Sequence, residues 1–96
     1  MNEANRLENA WACLKRDQVS CGGAFLSYAL WRCTDASEGY RLAITYGNEQ
    51  ETYPLGEDLF FAVTCYRTLL LGRVTPVCAG EVLEDLQYLE KSGAKL

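Results

Sequence analysis

From residue 24 onward the apolar positions follow two regimes, alternating first and then recurring at helical spacing. Ala24–Cys33 reads Ala-Phe-Leu-Ser-Tyr-Ala-Leu-Trp-Arg-Cys. As a strand it puts Phe25, Ser27, Ala29, Trp31 and Cys33 on one face and Leu26, Tyr28 and Leu30 on the other, with Arg32 at its end. Both faces are substantially apolar, the pattern of a strand covered on two sides. After a polar loop, Tyr40–Tyr46 alternates, with Tyr40, Leu42, Ile44 and Tyr46 opposite Arg41, Ala43 and Thr45. Gly47-Asn48-Glu49 predicts a tight turn, and residues 50–55 predict a third strand. Pro54 cannot donate a ladder hydrogen bond, so that strand lies at an edge or ends there. An antiparallel meander of about three strands results.

Beyond Gly56 the period lengthens to 3.6 residues. Glu57 and Asp58 supply negative charge where a helix begins, and Leu59, Ala62, Val63, Tyr66, Leu69 and Leu70 form its apolar stripe. Gly72 is the expected stop. Thr75-Pro76 is a cap followed by proline at the first helical position. The second helix turns Ala79, Val82, Leu83, Leu86 and Leu89 inward and ends at Gly93. Near the N-terminus, Ala4, Leu7, Ala10, Trp11 and Leu14 suggest a short amphipathic helix over residues 4–15, with a strand at residues 11–14 as the alternative. Lys15-Arg16-Asp17-Gln18 ends that element, and Gly22-Gly23 supplies a turn. The fold class is therefore α+β, a small meander followed by two C-terminal helices, in a single domain over residues 1–96.

Composition sharpens this only slightly. In 96 residues, 49% apolar and 23% charged is ordinary for one globular domain. Apolar runs such as residues 59–63 are far short of the ~20 residues a membrane span needs. The opening Met-Asn-Glu-Ala-Asn-Arg has no apolar stretch of signal-peptide kind behind it, so a cytoplasmic location away from membranes is expected. Charge is more informative. The net charge is −4, and the excess acid sits in residues 49–96, whereas residues 1–48 balance. Only Lys15 and Arg16 are adjacent bases, too few to follow a phosphate backbone, so nucleic acid is not an expected partner.

Candidate chemistry is sparse. Histidine is absent, which closes every Ser-His-Asp and Cys-His arrangement. Cysteines stand at 13, 21, 33, 65 and 78, an odd count without the close spacing of a zinc site. They read as free thiols acting as small hydrophobes, with Cys78 the candidate reactive thiol because it falls in a helix's first turn, and Cys33 a second. No glycine-rich phosphate loop exists. Glu81, Glu84 and Asp85 lie on the last helix, with Glu81 and Asp85 one turn apart. Carboxylates opposite an apolar stripe usually form a solvated face; the functional reading makes them a partner-binding patch. Phe61 joins them because it falls off the expected stripe. No catalytic residue, metal site or cofactor is expected. One face of the strand Ala24–Cys33 also lacks a cover, since two helices can blanket only one side of a small sheet. Either the N-terminal segment or another chain fills that role, and self-association as a homodimer is one form of it.

Residues 40–47 (Tyr-Arg-Leu-Ala-Ile-Thr-Tyr-Gly), 74–77 (Val-Thr-Pro-Val) and 81–86 (Glu-Val-Leu-Glu-Asp-Leu) resemble a family of small uncharacterised proteins of anaerobic Gram-positive bacteria, a domain of unknown function. The resemblance covers roughly residues 28–88 and implies an α+β fold with a meander and two C-terminal helices. It implies no activity. The family pattern often has histidine two residues after the proline, where Cys78 stands here. The sequence reading is thus a non-catalytic protein-binding or regulatory module. Its alternatives are a small-molecule binder or thiol-dependent enzyme, and an acidic inhibitor protein of a mobile element.

Overall fold

A computed structural model describes residues 11–34 and 39–91; residues 4–10 of the expected N-terminal helix, and Gly93, the expected end of the last helix, lie outside the described residues. Four strands, β1 (Trp11–Cys21), β2 (Ala24–Cys33), β3 (Tyr40–Tyr46) and β4 (Glu49–Gly56), pair in chain order as one antiparallel sheet. Two helices follow, α1 (Leu59–Leu71) and α2 (Pro76–Lys91). The architecture is α+β, with one strand more than the sequence pattern suggests.

The extra strand is β1. Residues 11–14 take the strand alternative to the expected helix, and Lys15-Arg16-Asp17-Gln18, expected to end that element, instead runs through the middle of β1 and pairs with Leu30, Ala29, Tyr28 and Ser27. Two local features explain this. Gly22 and Gly23 both have positive φ (58° and 85°), which a two-residue type I′ hairpin requires, so the chain before them must return along β2. A bulge between Cys13 and Lys15 then shifts the register by one residue. Trp11 and Cys13 therefore share a face with Arg16 and Gln18, and the period-2 signal is broken at Leu14.

The core lies on one face only. Leu26, Tyr28 and Leu30 of β2, Leu42 and Ile44 of β3, and Leu55 of β4 pack beneath Phe61, Ala62, Cys65, Tyr66 and Leu69 of α1, with Ala79 and Leu83 of α2. The buried stripe of α1 differs from the expected one. Phe61 and Cys65 face inward, whereas Leu59 is half exposed and Phe60 is 74% exposed. Residues 59–71 read Leu-Phe-Phe-Ala-Val-Thr-Cys-Tyr-Arg-Thr-Leu-Leu-Leu, apolar nearly all round, so spacing alone cannot choose which side packs. Contact with the sheet makes that choice.

Caps fix the helix ends. The Asp58 side chain accepts a hydrogen bond from the Phe61 N–H at 3.2 Å. At the other end Gly72 is the C-cap in a right-handed conformation, and Arg73 takes the positive φ of 49°. The Arg73 N–H donates to the Leu70 carbonyl at 3.2 Å, and the Val74 N–H to that of Leu69 at 3.0 Å. These are the paired bonds of a Schellman ending, displaced one residue beyond the glycine. Thr75 accepts at its carbonyl from the N–H groups of Cys78 and Ala79, opening α2.

Two buried tyrosines pin helices to sheet. Tyr28 donates to the Val74 carbonyl at 2.7 Å, joining β2 to the turn between the helices. Tyr66 of α1 donates to Asp17 Oδ2 of β1 at 2.6 Å, and the Tyr28 and Tyr66 rings meet edge to face with centroids 6.3 Å apart. Burial pushes the Tyr28 hydroxyl up to about 12, with the neighbouring Cys21 adding to the rise, and pushes the Cys65 thiol up to about 12, with the Glu90 charge adding to it. Burial and the bond to Asp17 raise Tyr66 as well. Each group is raised in the folded state, so the unfolded chain releases these protons first as pH climbs. Stability should be unaffected by these groups below pH ~9 and fall between pH ~9 and ~12. Urea titrations at steps across that range check this; a stability that rises above pH 10 would contradict it.

Candidate functional surface

The other face of the sheet collects Trp11, Cys13, Arg16 and Gln18 from β1 with Phe25, Ser27, Ala29, Trp31 and Cys33 from β2. Arg41, Ala43 and Thr45 of β3 and Gln50, Thr52 and Pro54 of β4 complete it. Both helices pack on the opposite side, and among the described residues no element covers this one.

Its chemistry is ordered. The Arg41 guanidinium stands 4.3 Å from the centroid of the Trp11 ring, reaching across β2. Arg16 stands 5.7 Å from the centroid of Trp31. Arg41 and Trp31 are register partners on adjacent strands, so an alternating belt of Trp11, Arg41, Trp31 and Arg16 crosses the sheet. Beside it, the short side chains of Ala29 and Ala43 leave a shallow dish of about 500 Å³. Arg16 and Trp31 border it, and Gln18, Ser27, Thr45 and Gln50 provide a polar rim. Phe25, 60% exposed, lies further along β2.

The carboxylates of the strands keep to the opposite face, which they share with Lys15 and Arg32. The register puts no carboxylate on this surface. Asp17, Glu49 and Glu51 fall on the helix side, as partners of Tyr28, Tyr46 and Ile44. Asp17, whose backbone borders the dish, sends its carboxylate to Tyr66 on the far side. Among the described residues, a chain of net charge −4 therefore presents a sheet face whose charged strand side chains are the cations Arg16 and Arg41.

The residues singled out from sequence are scattered. Glu81, Glu84 and Asp85 are all exposed on α2, away from the sheet's free face. Phe61 is a correction: at 3% exposure it belongs to the core, because α1 turns it against the sheet, and the exposed aromatic of that helix is Phe60. Cys78 is exposed in the first turn of α2, whereas Cys33 and Cys65 are buried. Thiol reagent at pH 7 should label Cys13 and Cys78 quickly and reach Cys33 and Cys65 only on unfolding. A Cys78 rate far above that of Cys13 would restore the reactive-thiol reading.

Among the described residues no helix is long and apolar enough to cross a membrane. In comparisons with known proteins, no family model, curated protein or solved structure matches this chain.

Proposed function

We propose that the chain is a non-catalytic binding module that receives a protein partner on the uncovered face of its sheet. The observation carrying this reading is the belt of Trp11, Arg41, Trp31 and Arg16. Tryptophan and arginine are the residue types that most often dominate binding energy at interfaces. Here they are held rigidly by neighbouring strands rather than by loops. The acidic face of α2 has a sufficient explanation as the solvated side of an amphipathic helix.

The test is affinity capture from lysate of the source organism with three versions of the chain. These are the wild type, a Trp31→Ala variant, and an α2 variant with Glu84→Lys and Asp85→Lys. A protein held by the wild type and the α2 variant but lost from Trp31→Ala supports the sheet face. Loss from the α2 variant alone returns the reading to Glu81, Glu84 and Asp85. The dish of about 500 Å³ favours a second reading, a small-molecule binder, since ligand sites are commonly concave with a few convergent polar groups.

A further inference from the structure

We propose that the occupant of the free sheet face is a short acidic segment of a partner protein, its carboxylates pairing with Arg16 and Arg41. This rests on the sheet-face reading above and names the chemistry of the partner.

Charge complementarity is the first argument. Among the described residues the face carries two guanidinium groups and no carboxylate. Each guanidinium lies near a tryptophan ring, an arrangement that holds the planar group while leaving its N–H edges open to a carboxylate. Such pairing is charge-assisted and can be bidentate. A second copy of this chain laid face to face on the first would bring four arginines into one interface with no carboxylate from either sheet face. That arrangement is disfavoured by like charge.

Size is the second argument. Four strands of 7 to 11 residues, spaced ~4.8 Å apart, offer about 500 Å² in plan. An extended nonapeptide, ~30 Å long at ~3.3 Å per residue, matches these strands in length and lies along the face without overhanging it.

Spacing is the third. Arg16 and Arg41 are two strands apart and two residues apart along the sheet, which places their Cα atoms about 12 Å from each other. From those positions the two guanidinium groups stand over Trp11 and Trp31, within the reach of one extended stretch of a few residues. The expected ligand therefore carries two acidic residues within one short extended stretch. Two isolated cations fall short of the track a nucleic acid needs, with the remaining surface net negative.

Selection from a displayed random nonapeptide library tests this. The wild type should enrich peptides with two acidic residues within a short stretch. A double Arg16→Gln, Arg41→Gln variant, whose fold is checked by circular dichroism, should lose that bias. Both tryptophans of the chain, Trp11 and Trp31, lie on this face, so intrinsic fluorescence reports binding of a synthetic selected peptide directly. Each arginine substitution should weaken its binding about tenfold, and raising salt from 0.1 to 1 M should weaken it further. Selected peptides without acidic bias, an unchanged bias in the double variant, or no enrichment at all would overturn the proposal. So would tighter binding of an oligothymidine of equal charge, or mutual binding of two copies lost on Glu84→Lys and Asp85→Lys. If the proposal falls while Trp31→Ala still abolishes capture from lysate, the sheet-face reading stands and only the acidic partner is wrong.

Discussion

Replacing Tyr28 by alanine is expected to cost about 3–5 kcal/mol and to lower the melting temperature by roughly 15–30 °C. The side chain has no exposed surface and sits at the centre of the sheet. It meets Tyr66 of α1 edge to face, and its hydroxyl bonds the Val74 carbonyl, 46 residues away in sequence. Truncation removes a large ring and leaves a void between sheet and helices that the neighbouring strands cannot collapse into. It also strands the Val74 carbonyl in a partly buried place. Tyr28→Phe separates the two effects: it keeps the ring and should cost only about 1–2 kcal/mol, the cost of a lost hydrogen bond. A domain of this kind has about 5–15 kcal/mol in total, so the alanine variant should stand near the edge of unfolding. Urea titration of the three proteins decides it. A cost for Tyr28→Ala no greater than that for Tyr28→Phe would mean the ring does not hold helices to sheet.

Gly39→Ala is the second large effect. Gly39 has a φ of 79°, and a Cβ built there would fall onto the Gly56 carbonyl oxygen, 2.6 Å from the carbonyl carbon and 2.9 Å from Glu57 Cα. The obstacle is backbone, so no side chain can turn aside. Here β3 begins beside the end of β4, and the Cys33 N–H donates to the Gly39 carbonyl at 2.7 Å. A methyl group must push these segments apart. Gly47 is the internal control: its φ is 60°, yet nothing lies within 4 Å of its added Cβ. Gly47→Ala should cost only the left-handed strain of roughly 1–2 kcal/mol. Gly39→Ala adds the steric conflict, for a total of roughly 2–5 kcal/mol. Equal losses at the two positions would show that conformation alone, and not the approach of Gly56, demands glycine at residue 39.

The free surface was half legible in the chain. The two-sided apolarity of Ala24–Cys33 already signals that a sheet face lacks a cover, and Trp31 stands in that row. Arg16 and Arg41 were hidden for different reasons. Arg41 reads as the polar side of an alternating strand. Arg16 lies in a charged run that looks like the end of a helix, because the bulge at Leu14 breaks the two-residue period that would have aligned it with Trp11. Phe61 shows the converse. On a helix apolar around most of its circumference, burial is decided by how the helix lies on the sheet, and Leu59 and Phe61 exchange the roles their spacing suggests.

Local chemistry in the sequence alone determined the meander of β2, β3 and β4, the two C-terminal helices, the start of α2 at Thr75-Pro76 and the absence of any histidine-based chemistry. These are set within a few residues, by period, by turn residues and by caps, so they can be read without knowing what lies opposite. Tertiary structure decided the fourth strand, the inward face of α1, and the sorting of charge that leaves Arg16 and Arg41 with the two tryptophans on a face without carboxylates. Those properties depend on register between strands, and one bulged residue is enough to move a side chain from one face of a sheet to the other.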